Sequence, residues 1–231
     1  MIGLVLSVLL AGPVTAPAAT SAEVRALVQR CVAAYGGPTA LQMASRVRQQ
    51  GTVTSLLHPG EKAAIVRLYD RVRGLRVEVD WKGGADSRVL TDGRGWREGQ
   101  TVEGPPLWAM LLQGARLDLP ALLQAAGGQV VDLGEVQHDG KRLRALAVGL
   151  GNGLLVEADI DPVTGRILRS RGAGSGTPPV EFVTTYSDFR MVDGLLVAFR
   201  EGNWANGKAT GETLLNRVTF LEKVPERAFA P

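Results

Sequence analysis

The chain has 231 residues and a formal net charge of +3, with 45% hydrophobic and 21% charged residues. This composition is too apolar for an intrinsically disordered protein, and the basic and acidic residues are interleaved without a basic tract, so we expect no nucleic-acid partner. One cysteine and two histidines that do not cluster also argue against a zinc site, and we expect no metal and no cofactor.

Residues 1–18 contain no charged side chain and are typical of a secretory signal peptide. An apolar run at 2–10 is followed by Pro13 and Pro17, and small residues precede a predicted cleavage site after Ala18. A membrane anchor is the alternative, but the run is shorter than the about 20 residues that a spanning helix needs. Because Pro13 stands where a lipidated cysteine would follow the Leu-Ala-Gly triplet, we expect a soluble periplasmic protein without a lipid anchor.

The chain beyond the signal peptide is predicted to begin with an amphipathic helix. Residues 20–23 have the spacing of a capping box, and the Gly-Gly-Pro triplet at 36–38 ends the pattern before a short helical turn at 39–44. The apolar positions follow one helical face: Val24, Leu27, Val28, Cys31, Val32 and Tyr35. Cys31, the only cysteine, therefore falls on the buried face and can form no intramolecular disulfide.

From residue 46 the hydrophobic period becomes alternating, as in β-strands. Residues 74–81 alternate most clearly and predict a strand with one dry face, formed by Leu75, Val77, Val79 and Trp81. Turns are predicted at 58–60 and at Asp92-Gly93. Later strands are predicted at 129–136, 142–148, 154–160, 166–171, 180–187, 195–201 and 212–222. Their short connections indicate an antiparallel meander in a single domain over 19–231.

Two segments in the middle of the chain break the β pattern and predict helices at 105–113 and 117–126. The first is apolar nearly all round, whereas an exposed amphipathic helix would have a polar face. Its large apolar side chains would each gain about 1.5–3 kcal/mol on burial. Two interpretations stay open: the helices complete the core of the sheet, or they form a movable lid over a hydrophobic cavity.

The sequence contains no recognisable catalytic constellation. The glycine-rich stretch at 172–176 fits neither a nucleophile elbow nor a dinucleotide-binding loop, and His58 and His138 both adjoin turn signals. We therefore predict that the protein is not an enzyme. An envelope hydrolase with two converging carboxylates is kept as a minor alternative, because carboxylates are plentiful in the chain.

Four short motifs follow one another along the chain: an Ala-x-Gly-Gly opening at 34–41, an Asp-Gly hairpin ending in tryptophan at 89–96, an Asp-Pro-x-Thr-Gly turn at 161–165, and a Tyr-Ser-Asp-Phe-Arg stretch at 186–194. In this order, and with two apolar helices between two series of strands, they resemble the LolA/LolB-like superfamily of periplasmic outer-membrane lipoprotein-sorting and carrier proteins. The resemblance spans nearly the whole chain after residue 18.

The resemblance implies an α+β, mainly antiparallel fold: an unclosed half β-barrel with an N-terminal helix and a mid-chain helical lid. It implies a cavity for the acyl chains of lipids or lipoproteins, lined by Leu75, Val77, Val79, Trp81, Trp96, Leu107, Trp108, Leu111 and Leu112. It also implies an arginine that acts as a lid switch, for which Arg73 is the best match and Arg71 the open alternative. Gly74 departs from the family pattern, which has a proline there.

These implications favour a non-catalytic periplasmic carrier, expected to be a monomer that exchanges its ligand with partner proteins of the inner and outer membranes. An envelope scaffold or protein-interaction module with a filled core is the alternative. The size of the cavity distinguishes the two, because an acyl chain needs empty space and a scaffold does not.

Overall fold

The structure, a computed structural model, describes residues 21–151, 153–174 and 179–231. The predicted signal peptide at 1–18 lies outside these residues. Within them the helices are α1 Ala22–Ala34, α2 Gly37–Met43, α3 Pro105–Arg116 and α4 Leu119–Ala126, with a 3-10 turn at Gly127–Gln129. No helix in this part of the chain is long and apolar enough to cross a membrane.

Thirteen strands of the described chain pair in one antiparallel sheet. They are β1 Arg46–Ser55, β2 His58–Asp70, β3 Gly74–Trp81, β4 Gly84–Thr91, β5 Arg94–Arg97, β6 Gln100–Val102, β7 Val131–His138, β8 Lys141–Gly151, β9 Leu154–Ile160, β10 Ile167–Ala173, β11 Glu181–Val192, β12 Leu195–Ala205 and β13 Lys208–Phe220.

The sheet is open, with β6 at one edge and β7 at the other. Neighbouring strands are consecutive in the chain except at the centre, where β1 pairs with β13. The segment containing α3 and α4 connects the two free edges. The predicted fold class is therefore confirmed: an unclosed antiparallel sheet with an N-terminal helix and a pair of helices in the middle of the chain.

The hairpin turns follow the sequence signals at most positions. Asp92-Gly93, Asp139-Gly140 and Asp193-Gly194 all have positive φ at both residues, as two-residue hairpin turns of this kind require. The predicted turn at 58–60 is wrong, because His58 already pairs with Ser55 and the chain reverses at residues 56–57. Pro59 and Gly60 instead fall within a register shift at the start of β2. The short edge strand β6 was not predicted.

Two hydrophobic clusters form the core. The first lies between α1, α2, α4 and strands β8–β10, and the second lies among β1–β4, β12 and β13. Helix α3 contributes to both clusters, because Leu112 belongs to the first, Met110 to the second, and Leu111 packs against both. One side of α3 is thus part of the core, as the core-completion interpretation expects.

Helix α1 packs as its periodicity predicts. It begins after Ser21, whose hydroxyl accepts a hydrogen bond from the amide of Val24 at 3.2 Å. The predicted apolar positions from Val24 to Val32 are buried, and Tyr35 is half-buried against the first cluster. Cys31 is 0% exposed, so it behaves as a small core residue.

Cys31 is expected to be chemically inert in the folded protein. Burial raises the pKa of its thiol to about 12, and the thiolate is the reactive form of cysteine. We predict no reaction with a disulfide reagent such as DTNB under native conditions at mildly alkaline pH, and complete reaction in concentrated guanidinium chloride. Absorbance measures the extent of labelling. Rapid labelling of the native protein would contradict the docking of α1 on the sheet.

Gly172 of β10 is expected to be intolerant of a side chain because α3 packs directly on it. A Cβ atom there would lie 2.3 Å from a methyl group of Leu112 and 2.9 Å from the carbonyl oxygen of Leu155. We predict that Gly172→Ala lowers the free energy of unfolding by about 1–3 kcal/mol, the usual cost of overpacking. Gly83→Ala is the control, since a Cβ there meets nothing within 4 Å. Equal urea midpoints for the two variants would contradict the prediction.

Candidate functional site

A cavity of about 530 Å³ lies between α3 and one face of the sheet, which is called the concave face below. Its walls come from α3, from strands β1–β6 and from strands β11–β13. This volume is in the range of pockets that hold small organic ligands, about 300–1,000 Å³. A second pocket of about 80 Å³ lies behind it, between the helices and strands β12 and β13.

Strand β3 contributes two of its four predicted residues to the lining. Val79 and Trp81 face the cavity, while Leu75 and Val77 lie further along the same face and are buried in the second cluster. The ring of Trp81 stacks on that of His58 with centroids 4.0 Å apart. His58 also lines the cavity, so it is part of an aromatic wall instead of an isolated turn residue.

Helix α3 presents to the cavity a different side from the predicted one. Its lining residues are Pro105, Pro106, Ala109, Met110, Gln113 and Arg116. The predicted residues Leu107, Trp108, Leu111 and Leu112 do not line the cavity and pack against the two core clusters. The positions 106, 109, 113 and 116 have helical spacing and carry small or polar residues, which is the sequence signal that could have identified this side.

Trp96 lies away from the cavity, which corrects its predicted place in the lining. Its neighbour Gly95 faces the cavity side, where a Cβ would meet Val102, Leu107 and Met110. Because successive residues of a strand point to opposite faces, Trp96 is on the convex face, opposite Val89 of β4. The Asp-Gly hairpin was predicted correctly, but the alternation of side chains along β5 determines the face of the sheet on which Trp96 lies.

Among the described residues the side chain of Arg73 forms its hydrogen bonds with the segment after β13 and not with α3 or α4, which corrects its predicted role as the arginine that holds a lid. Its guanidinium donates to the carbonyl oxygens of Val224 and Pro225, both at 3.1 Å, and lies over the ring of Phe229 at 5.2 Å. Arg76, on the convex side of β3, donates to the carbonyl oxygen of Ala230 at 3.1 Å. Arg73 and Arg76 therefore hold the segment 223–231 against the convex face.

Arg71, the alternative arginine, is the one that contacts the helical segment. It donates to both carboxylate oxygens of Asp118, one of the two residues between α3 and α4, and also to the carbonyl oxygen of Leu41 at 2.7 Å. Tyr69 donates to the same carboxylate at 3.3 Å. Burial raises the pKa of the Asp118 carboxyl, while the hydrogen bonds from Arg71 and Tyr69 lower it in part. Arg71 thus ties α2 and the α3–α4 junction to the sheet.

A polar network crosses the middle of the concave face, between the two apolar clusters. At its centre Arg67 of β2 is only 4% exposed. It donates to Glu201 at 2.9 Å and to Thr213 at 3.1 Å, and a second nitrogen lies 2.7 Å from the other carboxylate oxygen of Glu201. This network was not predicted from the sequence, although Arg67 interrupts an inward-facing apolar series in β2 that could have indicated it.

Three further arginines line the cavity. Arg116, in the last turn of α3, donates to the carbonyl oxygen of Phe182 at 3.1 Å, and burial lowers its pKa. Arg88 and Arg97 lie nearer the surface, and both make two hydrogen bonds to Asp86. The cavity therefore combines apolar walls with more arginines than carboxylates.

The chemistry of this site is suited to binding. Among the described residues no group of three or more histidine, cysteine or acidic side chains could hold a metal ion. The acidic residues that line the cavity, Asp86 and Glu201, are each hydrogen-bonded to arginines. What the arrangement offers is an apolar space for an aliphatic or aromatic group and guanidinium groups for a negative charge.

Comparisons with known proteins agree on the fold. No family model and no curated protein matches this sequence. Among solved structures, the LolA superfamily protein NE2245 from Nitrosomonas europaea is similar with a TM-score of 0.59 and 10% identity, covering 90% of this chain and 97% of that one. A DUF1329 family protein from Desulfovibrio piger is similar with a TM-score of 0.50 and 10% identity, covering 90% of this chain and 98% of that one. The chain thus has a LolA-like fold, as the sequence motifs predict.

The Arg71–Asp118 pair is expected to stabilise the fold far more than Arg73 does. In Arg71→Met the carboxylate of Asp118, which is 4% exposed, loses its partner, so we predict a loss of about 2–4 kcal/mol in the free energy of unfolding. Arg73→Met, the matched control, removes hydrogen bonds to partly exposed carbonyl groups and should cost about 1 kcal/mol.

Urea denaturation of both variants measures this difference. The double variant Arg71→Met, Asp118→Asn should recover part of the loss, because the uncompensated charge is gone. Equal losses for the Arg71 and Arg73 variants would show that the helical junction does not depend on the ion pair.

Proposed function

We propose that this protein is a non-catalytic periplasmic carrier that binds the acyl chains of lipids or lipoproteins in the cavity beneath α3. The observation that carries the proposal is the cavity itself: about 530 Å³ of space on the concave face, bordered by Val79, Trp81 and Met110. Burial of an acyl chain there would remove about 0.8 kcal/mol of unfavourable hydration for each methylene.

The LolA-like fold supports this proposal without deciding it. A shared fold can serve different functions, and these neighbours, at 10% identity, show a similar fold alone. The open cavity favours the carrier over the scaffold with a filled core, since a core filled by side chains would leave no such volume. The predicted signal peptide, the soluble periplasmic location and exchange with membrane partner proteins belong to the same proposal.

Helix α3 acts in this proposal as a fixed roof. Leu112 is fully buried in the first cluster, and Gly172 leaves no room between α3 and β10. Lifting the whole helix would expose this core, so a ligand enters more readily at the rim near Leu57 and His58, where Leu57 is 80% exposed. Binding then needs only local movement of side chains.

Filling the cavity should weaken acyl binding. Ala109 of α3 lines the cavity, so Ala109→Trp places an indole in the space that an acyl chain would occupy. We predict that the wild type binds the methyl ester of cis-parinaric acid, a fluorescent fatty acid, and that Ala109→Trp binds it at least about tenfold more weakly, a change of about 1.4 kcal/mol.

The control is Ala33→Trp on the exposed side of α1, which should bind like the wild type. Thermal unfolding of both variants checks that they are folded. If the wild type binds neither parinaric acid nor its methyl ester, and native mass spectrometry of protein from its own periplasm shows no acyl ligand, the carrier proposal fails.

A further inference from the structure

The inner part of the cavity contains an excess of positive charge. Arg67 and Arg116 line it together with a single carboxylate, that of Glu201. Charges removed from water are costly unless each has a partner of opposite sign. With two guanidinium groups and one carboxylate, one positive charge lacks a counterion of its own.

Arg67 has its counterion. The carboxylate of Glu201 accepts from two nitrogens of this guanidinium, and Gln49 and Thr213 accept further hydrogen bonds at 3.3 and 3.1 Å. The charges of Arg67 and Glu201 therefore compensate each other within the sheet. The Nε atom of Arg67 is buried and has no hydrogen-bond partner among the described residues.

Arg116 has no counterion within ion-pair distance in the described part of the chain. Its hydrogen bond is to the carbonyl oxygen of Phe182, and its Nε atom is buried without a partner there. Burial lowers the pKa of Arg116, the charge of Glu201 raises it in part and the like charge of Arg67 lowers it, yet a guanidinium stays protonated at neutral pH. The negative end of α3 compensates this charge only in part.

The position of Arg116 is the inner end of the cavity. Arg116, Tyr186 and Glu201 border both the large cavity and the small pocket behind it, so they form the partition between the two. The hydroxyl of Tyr186 shares a 2.7 Å hydrogen bond with Ser170, which adds a polar group beside the guanidinium. A ligand that reaches this partition meets a half-buried cation next to hydrogen-bonding side chains.

We infer that the carried molecule is an amphiphile with an anionic group, a carboxylate or a phosphate, and that Arg116 binds this group at the inner end of the cavity. The inference rests on the proposed function and specifies the chemical class of its ligand. The outer arginines are less suited to this role. Arg88 and Arg97 already share Asp86, and their side chains are 32% and 49% exposed, so water weakens any further ion pair.

The test compares two probes that differ only in the charge of the head group. cis-Parinaric acid carries a carboxylate, and its methyl ester has the same chain without the charge. We expect the wild type to bind the acid at least about tenfold more tightly than the ester, as a charge-assisted hydrogen bond in a buried site would give. In Arg116→Gln this ratio should fall to about one.

Two matched variants separate a binding role from a structural one. Arg116→Lys keeps the charge and should retain part of the preference for the acid. Arg217→Gln removes an exposed arginine from the convex side of β13, opposite Gln50, and should leave both affinities unchanged. Thermal unfolding monitors the fold of every variant, and the acid-to-ester ratio remains readable even if Arg116→Gln is less stable.

The outcomes distinguish failure of the anionic site from failure of the carrier proposal. Equal binding of acid and ester by the wild type, or an unchanged ratio in Arg116→Gln, would overturn the anionic site and leave the carrier proposal standing. Failure of both probes, together with no acyl ligand in native mass spectrometry, would instead remove the carrier proposal. Acetate and inorganic phosphate serve as competitors without a chain. Displacement of parinaric acid by either at millimolar concentration would identify a site for free anions and overturn the amphiphile, whereas no displacement supports it.

Discussion

The pairing of β1 with β13 is the contact on which the rest of the molecule depends. It joins a first series of strands, β1–β6, to a second, β7–β13, and so leaves β6 and β7 as the free edges. The chain between those edges is the helical segment with α3 and α4, which must therefore extend from one side of the open sheet to the other. The cavity and its roof both follow from this connection.

Helix α3 has two environments along its length, and this explains how a cavity persists in a protein with an apolar interior. The large side chains, including Trp108 and Leu112, occupy the core and hold the helix in place. The remaining side has small or polar residues such as Ala109 and Gln113, which cannot fill the space above the concave face. Because one side of α3 is anchored in the core, its other side is free to border a ligand.

The sequence predicted the architecture well and the site only partly, for reasons that lie in the range of the interactions. Alternation is a local signal, so the dry face of β3 and the Asp-Gly hairpins could be predicted from neighbouring residues. In α3 the spacing of a few small and polar residues is the only local signal for the side that borders the cavity, and the many large apolar residues around it obscure that signal. Whether Arg71 or Arg73 contacts the helical segment depends on the path of a turn. The ion pair of Arg67 with Glu201 joins residues 134 positions apart in the chain.

The segment after β13 has a mechanical consequence. Phe229 is buried on the convex side and Arg73 and Arg76 hold the backbone around it, while Leu75 and Val77 pack on the other face of the same strand. This part of the sheet is consequently clamped from both directions and resists bending. Strands β5 and β6, with four and three residues, form the border of the cavity at the free edge of the sheet. The cavity therefore has one wall that is covered on both faces and one that ends in short edge strands.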